Sequence, residues 1–232
     1  VDTTGVATPT ISGLDNLAVT LDDATVTLAE YKDIQNNYTT GVITATLAND
    51  AIADVIYETN AGTNDLVSGN AFAVTLTDAT IAATDLIELY GMTSGKVTVS
   101  GITLTGTVED IATVYSYAGT TGNVIAGLGD GAMTPTNTGS VSAADLKAIS
   151  AGTTGTLNIT NITRITGLLA DVNSVLADGQ ISNKGNELVT LTDATLSASA
   201  LATLLADGAQ LTSASVTVVA SSIEGTAVMV SS

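Results

Sequence analysis

Nearly the same thirteen residues occur twice in this chain, and that repetition constrains its fold more than any other feature. The two copies are VTLTDATIAATDL at Val74–Leu86 and VTLTDATLSASAL at Val189–Leu201. Two more distant copies of the pattern lie around Val26 and Val141. A unit that recurs about every 55–60 residues is typical of proteins in which small structural layers stack on one another.

Each copy keeps the same apolar spacing after its strand-like start. Apolar residues recur five and eight positions after the apolar residue that precedes each predicted helix. This spacing places both side chains on one face of the helix. These pairs are Tyr31 and Ile34, Leu86 and Leu89, Leu146 and Ile149, and Leu201 and Leu204. The spacing predicts a strand followed by a short helix in every copy.

The second half of each unit repeats this pattern. Alternating, β-branched segments begin at Val42, Val97, Leu157 and Val216. In three units an apolar-x-Asp-apolar segment follows, at Ile52–Val55, Val108–Ile111 and Leu169–Val172. We therefore expect seven helices and an α/β fold, a parallel-strand solenoid of about eight strand-helix coils with right-handed crossovers.

The repeat also predicts how the chain is divided. We expect one continuous solenoid domain. Residues 1–18 are the end of an earlier repeat, 19–73 form repeat 1, 74–133 form repeat 2, 134–188 form repeat 3 and 189–232 form a truncated repeat 4.

Local signals mark where the helices begin and end. Thr27-x-x-Glu30 and Ser142-x-x-Asp145 are capping-box patterns, which predict helix starts. Glycine in the left-handed conformation is expected to end the helices, with Asn36 or Asn37 in that role for the first one. The glycines are Gly62, Gly91, Gly119, Gly152, Gly179 and Gly208.

Composition excludes several classes of function. The chain has 23 acidic and five basic residues, a net charge of −18, and neither Cys nor His. A polyanion without a basic patch does not favour nucleic acid. Membrane insertion is not expected, because no apolar run approaches the roughly 20 residues that span a bilayer. The chain opens without a signal peptide, so a secretion signal would lie outside this sequence.

The spacing Val74-x-Leu76-x-x-Ala79-x-Ile81, followed by Leu86 and Leu89, resembles a leucine-rich repeat. The resemblance implies the same strand-plus-helix architecture. It departs from that family at the position of the ladder-forming Asn. The residues there are Ala24, Ala79, Gly139 and Ala194.

The segments VSAADLKAI at Val141–Ile149, VTLTDAT at Val74–Thr80 and TISGLDNLAVTL at Thr10–Leu21 also resemble repeat regions of very large secreted surface proteins of marine cyanobacteria. That resemblance covers nearly the whole chain and implies an extracellular or cell-surface, structural or adhesive role. It brings no catalytic residues.

Nine of the 23 acidic residues have a structural interpretation. Those in the first turn of a predicted helix complement the helix dipole by about 0.3–1 kcal/mol. They are Glu30, Asp54, Asp85, Asp110, Asp145 and Asp171. Asp22, Asp78 and Asp193 follow strands and are interpreted as turn caps, since equivalent coils lie about 10 Å apart and one calcium ion cannot bridge them.

No cofactor is predicted, although two segments leave calcium open. GLGDG at Gly127–Gly131 is similar to one copy of a glycine-aspartate calcium repeat, and DGQISNKGNE at Asp178–Glu187 is polar enough to hold an ion. GLGDG occurs only once, whereas such sites need consecutive copies, and the spacing in Asp178–Glu187 is not that of an EF-hand loop. The sequence leaves the metal ligands unknown.

The sequence thus predicts a non-enzymatic spacer or interaction scaffold without catalytic residues. Expected partners are other repeats of the chain, surface or matrix components, and further copies joined end to end through strand edges. A calcium-dependent adhesion module is the first alternative. Ice binding through Thr75/Thr77 and Thr190/Thr192, and polysaccharide cleavage by paired carboxylates, are the others.

Overall fold

The computed structural model describes residues 16–57, 69–118, 125–129, 131–206 and 215–225. In these residues helices alternate with strands, and the strand pairs are parallel, so the α/β class predicted from the sequence is confirmed. The chain divides into two compact units. Unit 1 comprises Val1–Asp78, Glu88–Val99 and Thr120–Ala126, and unit 2 comprises Ala79–Ile87, Ser100–Gly119 and Gly127–Ser232.

Seven helices lie in the described residues, each where the apolar spacing predicts one. Their bounds are α1 Leu28–Asn37, α2 Ile52–Tyr57, α3 Ala83–Met92, α4 Val108–Tyr117, α5 Ala143–Gly152, α6 Leu169–Ala177 and α7 Ala198–Ala206. All are short, so each depends on packing against its neighbours for most of its stability.

The strands are shorter still. Their bounds are β1 Val19–Thr20, β2 Ile43–Thr46, β3 Ala71–Thr75, β4 Thr80–Ala82, β5 Val97–Thr98, β6 Thr103–Thr105, β7 Ile125–Ala126, β8 Ser140–Ser142, β9 Leu157–Asn158, β10 Arg164–Gly167, β11 Ile181–Ser182, β12 Leu188–Leu191, β13 Thr195–Ser197, β14 Val216–Val218 and β15 Ser222–Glu224. A two- or three-residue strand depends for its stability on a wider sheet or on packing against a helix.

Unit 1 contains a five-stranded parallel sheet in the order β1-β2-β3-β5-β7. Its register places buried apolar residues opposite one another, with Val74 opposite Val97 and Val97 opposite Ile125. The rings of Tyr31 and Phe72 pack edge to face at 5.7 Å between centroids. Burial raises the pKa of Tyr31 well above its usual value.

Unit 2 contains a four-stranded parallel sheet in the order β14-β12-β10-β8 and three parallel pairs, β4-β6, β9-β11 and β13-β15. Val141, Ile165 and Val189 lie in register on adjacent strands and are fully or almost fully buried. Their aliphatic side chains form a thin core, which agrees with the scarcity of aromatic residues in the chain.

We call each strand with the helix or loop that follows it a pass of the chain. Small residues allow neighbouring passes in unit 2 to approach closely. An alanine begins a helix, and a glycine of the following pass lies against its methyl group. The pairs are Ala83 with Gly106, Ala143 with Gly167, and Ala198 with Gly225. A Cβ at Gly167 would lie 2.9 Å from the Cβ of Ala143, so this contact requires glycine.

The predicted helix ends are wrong at the positions that the structure describes. Gly91 lies inside α3 and Gly152 is the last residue of α5, while Asn36 and Asn37 lie inside α1. Gly179 is not among the residues with positive φ. The chain leaves α4, α5 and α6 through residues in the extended conformation, so no left-handed residue is needed. Gly62, Gly119 and Gly208 lie outside the described residues.

Candidate functional site

The most regular polar contact is made by a Thr-x-Gly sequence, a motif that the apolar repeat pattern did not predict. It occurs after α1 as Thr39–Gly41, after α3 as Thr93–Gly95 and after α5 as Thr153–Gly155. Two further occurrences, Thr3–Gly5 and Thr120–Gly122, lie outside the described residues. The recurrence after helices was the signal that could have revealed this motif.

In each of the three turns the threonine hydroxyl makes two hydrogen bonds. Thr93 Oγ1 donates to the carbonyl of Phe72 at 2.5 Å and accepts from the Gly95 N–H at 3.0 Å. Thr39 does the same with Leu17 and Gly41, at 2.7 and 2.9 Å. Thr153 donates to the Gly129 carbonyl and accepts from the Gly155 N–H. All three threonines are buried, so these bonds satisfy backbone groups that water reaches poorly.

The glycine of the motif is required by close approach. A Cβ at Gly41 would lie 2.1 Å from the Leu17 carbonyl oxygen, and a Cβ at Gly95 would lie 2.1 Å from that of Phe72. Each of these carbonyls is the one that the threonine of the same motif contacts. Thr-x-Gly therefore joins each turn to the preceding pass of the chain.

A second recurring contact closes the start of the second-half helices. Asp78 Oδ2 accepts from the Ile52 N–H at 2.7 Å, and Asp193 Oδ2 accepts from the Leu169 N–H at 2.8 Å. Asn137 Oδ1 accepts from the Val108 N–H at 2.6 Å. Each cap comes from the pass that follows the helix, more than 20 residues later in the chain.

These contacts refine the prediction for Asp22, Asp78 and Asp193. Asp78 and Asp193 are backbone caps, but they cap a helix of the preceding pass rather than their own turn. Asp22 is exposed. Aligned on the strand residues Val19 and Val74, the counterpart of Asp78 is Asp23, so grouping Asp22 with the other two was wrong.

Backbone hydrogen bonds form at the positions where a leucine-rich repeat has its ladder-forming Asn. The Ala79 carbonyl accepts from the Thr103 N–H at 2.9 Å, and the Ala194 carbonyl accepts from the Ser221 N–H at 3.0 Å. The Gly139 carbonyl accepts from the N–H groups of Thr163 and Arg164. Direct backbone bonds between neighbouring passes therefore take the place of a side-chain ladder in this part of the chain.

The six first-turn acids lie where the sequence predicts them, in the first turns of α1 to α6. Glu30 also completes a capping box, because its Oε2 accepts from the Thr27 N–H at 2.9 Å. Hydrogen bonds from the Thr27 backbone and hydroxyl lower the pKa of Glu30. For Asp145, burial and the nearby charge of Glu109 raise the pKa, against the effect of the Ser142 hydroxyl.

The polar loop at Asp178–Glu187 holds a cation of the chain itself. Lys184 Nζ donates to the carbonyls of Asp178 and Val175, at the end of α6. Burial lowers the pKa of Lys184, while Asp178 acts in the opposite direction. The Asp178 carboxylate accepts from Ser150 Oγ at 2.5 Å and from the Gln180 N–H at 2.8 Å. The carbonyls at the end of α6 are thus bound by a lysine of the same loop.

One buried carboxylate is not indicated by the sequence pattern. Glu187 is only 2% exposed, and its Oε2 accepts from the N–H of Gly185, whose φ is +107°. Glu187 stands two residues before Val189, where the first long copy has Phe72 two residues before Val74. A carboxylate at a core position is costly unless it is hydrogen-bonded, and the left-handed turn at Gly185 supplies that bond.

The other proposed calcium segment is part of a turn in the described residues. Gly127 has a φ of +86°, and the Gly129 carbonyl accepts from Thr153 and Thr154. Asp130, its carboxylate, lies outside the described residues. Among the described residues no group of three or more acidic side chains is arranged to hold a metal ion.

Hydroxyl groups form an in-register row on the four-stranded sheet of unit 2. Thr166 pairs with Ser142 and Thr190, and Thr190 pairs with Thr217. Arg164 donates to Thr190 Oγ1 at 2.9 Å, and Ser140 and Thr166 share a hydrogen bond of the same length. Two hydroxyl groups of the row, those of Thr166 and Thr190, therefore already bond to side chains beside the row. Thr75, in unit 1, pairs with Thr98.

An open hollow of about 690 Å³ lies beside α1, and both Asp33 and Asp50 line it together with Lys32. Asp33 Oδ1 accepts from Asn37 Nδ2 at 2.8 Å, and Asp50 Oδ1 accepts from the Ala51 N–H at 2.9 Å. Both carboxylates thus already bond to groups of the same or the next turn. Neither carboxylate was singled out from the sequence, because nothing in the repeat distinguishes them.

A smaller hollow of about 340 Å³ lies beside the first Thr-x-Gly turn, and Asn70 lines it. Asn70 is buried, with its Oδ1 accepting from the Ile43 N–H at 2.8 Å and its Nδ2 donating to Gln35 Oε1 at 3.3 Å. The Asn70 amide therefore bonds within unit 1, to one backbone group and to one side chain.

Within the described part of the chain, none of the helices combines the length and the apolarity needed to cross a bilayer. Comparisons of the chain with protein-family models, with curated proteins and with solved structures found no match.

Proposed function

We propose that this chain is a non-enzymatic structural segment, a stack of strand-helix coils that acts as a stiff spacer or interaction scaffold in a secreted bacterial surface protein. The observation that carries the proposal is the recurrence of contacts between successive passes. Three Thr-x-Gly turns and three Asp or Asn caps all bond to backbone of a neighbouring pass.

These contacts use the polar side chains that could otherwise form a site. The buried threonines satisfy carbonyls, the conspicuous Asp residues cap helices, and Lys184 satisfies the end of α6. A binding or catalytic site needs polar groups directed at a ligand instead. Polar side chains that hydrogen-bond to backbone groups in this way support a role in holding the layers together.

The parallel pairing and the small-residue contacts support a solenoid. Every named strand pair is parallel, and Ala-Gly contacts recur between passes of unit 2. In such stacks each layer contacts only its neighbours, so stability is distributed along the array. The resulting function is mechanical, and the partners that we propose are other repeats and surface or matrix components.

The charge supports an extracellular setting. A net charge of −18 keeps an extended array soluble, and salt at the concentrations found outside cells screens its self-repulsion. Calcium is not part of the proposal, because a lysine already binds the carbonyls at the end of α6.

Small-angle X-ray scattering of the monomer tests the proposed shape. We expect the pair-distance distribution of an elongated particle, with a maximum dimension well above that of a globular protein of 232 residues. A symmetric distribution typical of a compact globule would contradict the solenoid.

Calcium dependence is tested separately by thermal unfolding in EDTA and in millimolar calcium. We expect the same midpoint in both solutions. A midpoint several degrees higher in calcium would favour the adhesion module instead, because a bound ion stabilises the folded state by mass action.

A further inference from the structure

We infer that Asn161 is an N-glycosylation site, at which a sugar is joined to the side-chain amide of the folded chain. The sequence Asn161-Ile162-Thr163 has the N-x-S/T pattern that this transfer requires, with a residue other than Pro in the middle. The inference rests on the proposed function for its biological setting, since this modification belongs to surface loops of secreted proteins.

The chain contains three N-x-S/T sequences, and the structure distinguishes them. The other two are Asn37-Tyr38-Thr39 and Asn158-Ile159-Thr160. A transferase has to reach both the asparagine amide and the hydroxyl, because the pattern specifies both residues. In a folded protein, both groups must therefore lie at the surface without strong bonds to the rest of the chain.

The sequence at Asn37 does not meet this requirement. Thr39 is only 4% exposed, and its Oγ1 donates to the Leu17 carbonyl at 2.7 Å and accepts from the Gly41 N–H at 2.9 Å. Asn37 itself belongs to α1, where its Nδ2 donates to Asp33 Oδ1 at 2.8 Å. Transfer to Asn37 would require the turn after α1 to open.

The side chain of Asn158 is held on two sides. Asn158 is half-buried in β9, where it pairs in register with Ser182. Its Oδ1 accepts from the Thr160 N–H at 3.1 Å and from Asn183 Nδ2 at 2.8 Å. A sugar on this half-buried amide would crowd the contact with Asn183, so Asn158 is a poor acceptor in the folded chain.

The amide of Asn161 lies at the surface. Asn161 is exposed, in the turn between β9 and β10. The next residue, Ile162, holds this turn in place: its N–H donates to the Ile159 carbonyl at 2.9 Å, and its side chain is only 5% exposed. Within residues 131–206, the Asn161 side chain makes no hydrogen bond. A sugar on Asn161 therefore costs the fold none of these contacts.

The hydroxyl of the same sequence is accessible as well. Thr163 is exposed, and its Oγ1 donates to the Thr138 carbonyl at 3.2 Å, which leaves the oxygen able to accept another bond. Thr138 belongs to the preceding pass and Asn183 to the following one, and both lie with Asn161 in unit 2. The surface around this turn is thus set by passes on both sides within one unit.

The transfer is a substitution at the anomeric carbon of a sugar diphosphate. Asn161 Nδ2 forms a bond to that carbon, the bond from the carbon to the diphosphate oxygen breaks, and the diphosphate leaves with the electron pair. The amide gives one proton to a base of the transferase and keeps its other N–H. Nothing is oxidised or reduced. The donor is a nucleotide-linked or a lipid-linked sugar, since both carry a diphosphate at the anomeric carbon.

Incubation of the folded chain with purified transferases tests the inference. One reaction contains a soluble N-glycosyltransferase with UDP-glucose, and the other a membrane oligosaccharyltransferase with its lipid-linked oligosaccharide. Glycopeptide mass spectrometry locates the sugar. We expect it on Asn161 in at least one reaction, at a rate at least about tenfold above that at Asn37 or Asn158, because transfer to those residues needs local unfolding first. The reaction that succeeds identifies the class of donor.

Synthetic peptides remove the effect of sequence preference. The transferases are chosen to modify peptides of all three sequences, and each rate in the folded chain is divided by that of its peptide. A folded chain without sugar on Asn161 in both reactions would overturn the inference. So would equal normalised rates at the three asparagines.

Four variants test the acceptor itself. Asn161→Gln and Thr163→Ala should lose the modification, whereas Thr163→Ser should keep it, because serine retains the hydroxyl. Asn158→Gln is the matched control and should leave the rate at Asn161 unchanged. Thermal unfolding checks that the four variants are folded. Sugar transfer to the chain that persists in Asn161→Gln at the unmodified rate would contradict the assignment.

The shape of the chain separates this inference from the proposed function. An unmodified Asn161 together with an elongated scattering profile would refute the glycosylation site and leave the scaffold. A modified Asn161 together with a compact profile would support the site and refute the scaffold.

Discussion

Helices α1 and α6 begin in different ways. At the start of α1 the Thr27 hydroxyl accepts from the Glu30 N–H at 3.2 Å, and Glu30 Oε2 accepts from the Thr27 N–H at 2.9 Å. At the start of α6 the cap residue Leu168 has no capping side chain, and Asp193 supplies the bond to the Leu169 N–H. The first helix is closed by residues three positions apart, and the second by a residue of the following pass.

The two kinds of cap differ in what they require: one needs only residues of the same helix, and the other needs a residue of another pass. The cap of a self-capped helix needs no residue of another pass. A helix capped from the next pass has that bond only while the two layers are stacked. The second-half helices α2, α4 and α6 all receive a bond of this second kind. Part of the stability of these helices therefore depends on the pass that follows each of them.

The largest effect is expected where two passes approach most closely. Gly95→Ala places a Cβ 2.1 Å from the Phe72 carbonyl oxygen, so the backbone must shift and the Thr93 contact is lost. We expect a loss of at least about 3 kcal/mol in unfolding free energy, measured by urea denaturation.

Gly91→Ala is its control, four residues earlier and inside α3 with open space around it. Alanine there should stabilise by about 0.5–1 kcal/mol, because it favours the helix and restricts the unfolded chain. Equal effects of the two substitutions would contradict the assignment of Gly95 to an inter-pass contact.

The threonine of the same turn gives the next largest effect. Thr93→Val keeps the shape of the side chain but leaves the Phe72 carbonyl and the Gly95 N–H without the hydroxyl. A buried polar group left without its partner costs about 1–3 kcal/mol, so we expect a loss of about 2–3 kcal/mol. Thr93→Ser retains both bonds and should cost less than half as much. A valine variant as stable as the serine variant would show that the hydroxyl is not needed.

The two kinds of cap can be compared directly. Asp193→Ala and Thr27→Ala should each cost about 1 kcal/mol, since each removes one cap. Hydrogen exchange should differ in location: Asp193→Ala should lower the protection of the Leu169 amide in the preceding pass, whereas the effect of Thr27→Ala should stay within α1. Unchanged exchange at Leu169 would refute the remote cap.

The smallest effect concerns a charge of a neighbouring helix. Glu109 on α4 helps to raise the pKa of Asp145 on α5, after burial. Because the folded state then binds the proton more tightly than the unfolded state, the contribution of Asp145 to stability falls as the pH rises from the ordinary value of 3.8 through its raised pKa.

Glu109→Gln should therefore lower the pKa of Asp145, measured by NMR titration of its carboxyl carbon. It should also slightly raise the free energy of unfolding at neutral pH, measured by urea denaturation. Glutamine keeps an oxygen that can accept from Asn137 Nδ2. Glu88→Gln removes a charge elsewhere and should leave the titration of Asp145 unchanged. A constant Asp145 pKa in Glu109→Gln would remove the proposed interaction.

Much of the fold follows from the repeat. The spacing of residues such as Leu86 and Leu89 places helices correctly, because helical periodicity is a local property of the chain. The left-handed ends predicted at Gly91 and Gly152 are wrong, because a helix end depends on what receives its last backbone groups. Thr39 and Thr93 bond to carbonyls more than 20 residues away, which local chemistry does not indicate.

Less of the candidate site could be predicted. The first-turn position of Asp145 is visible in the sequence, but its raised pKa depends on burial and then on the charge of Glu109, and both arise only through packing. Lys184 and Glu187 appear in the sequence as ordinary polar residues of a loop. Their contacts to the end of α6 and to the Gly185 N–H exist only once the loop is folded.

By itself, the sequence determined that strands and short helices alternate in a repeating order, because apolar periodicity and local caps act over a few residues. The tertiary structure decided which pass pairs with which, which glycines must lack a side chain, and which carboxylates become caps. Those properties depend on distances between residues far apart in the chain, and such distances are set only when the layers pack.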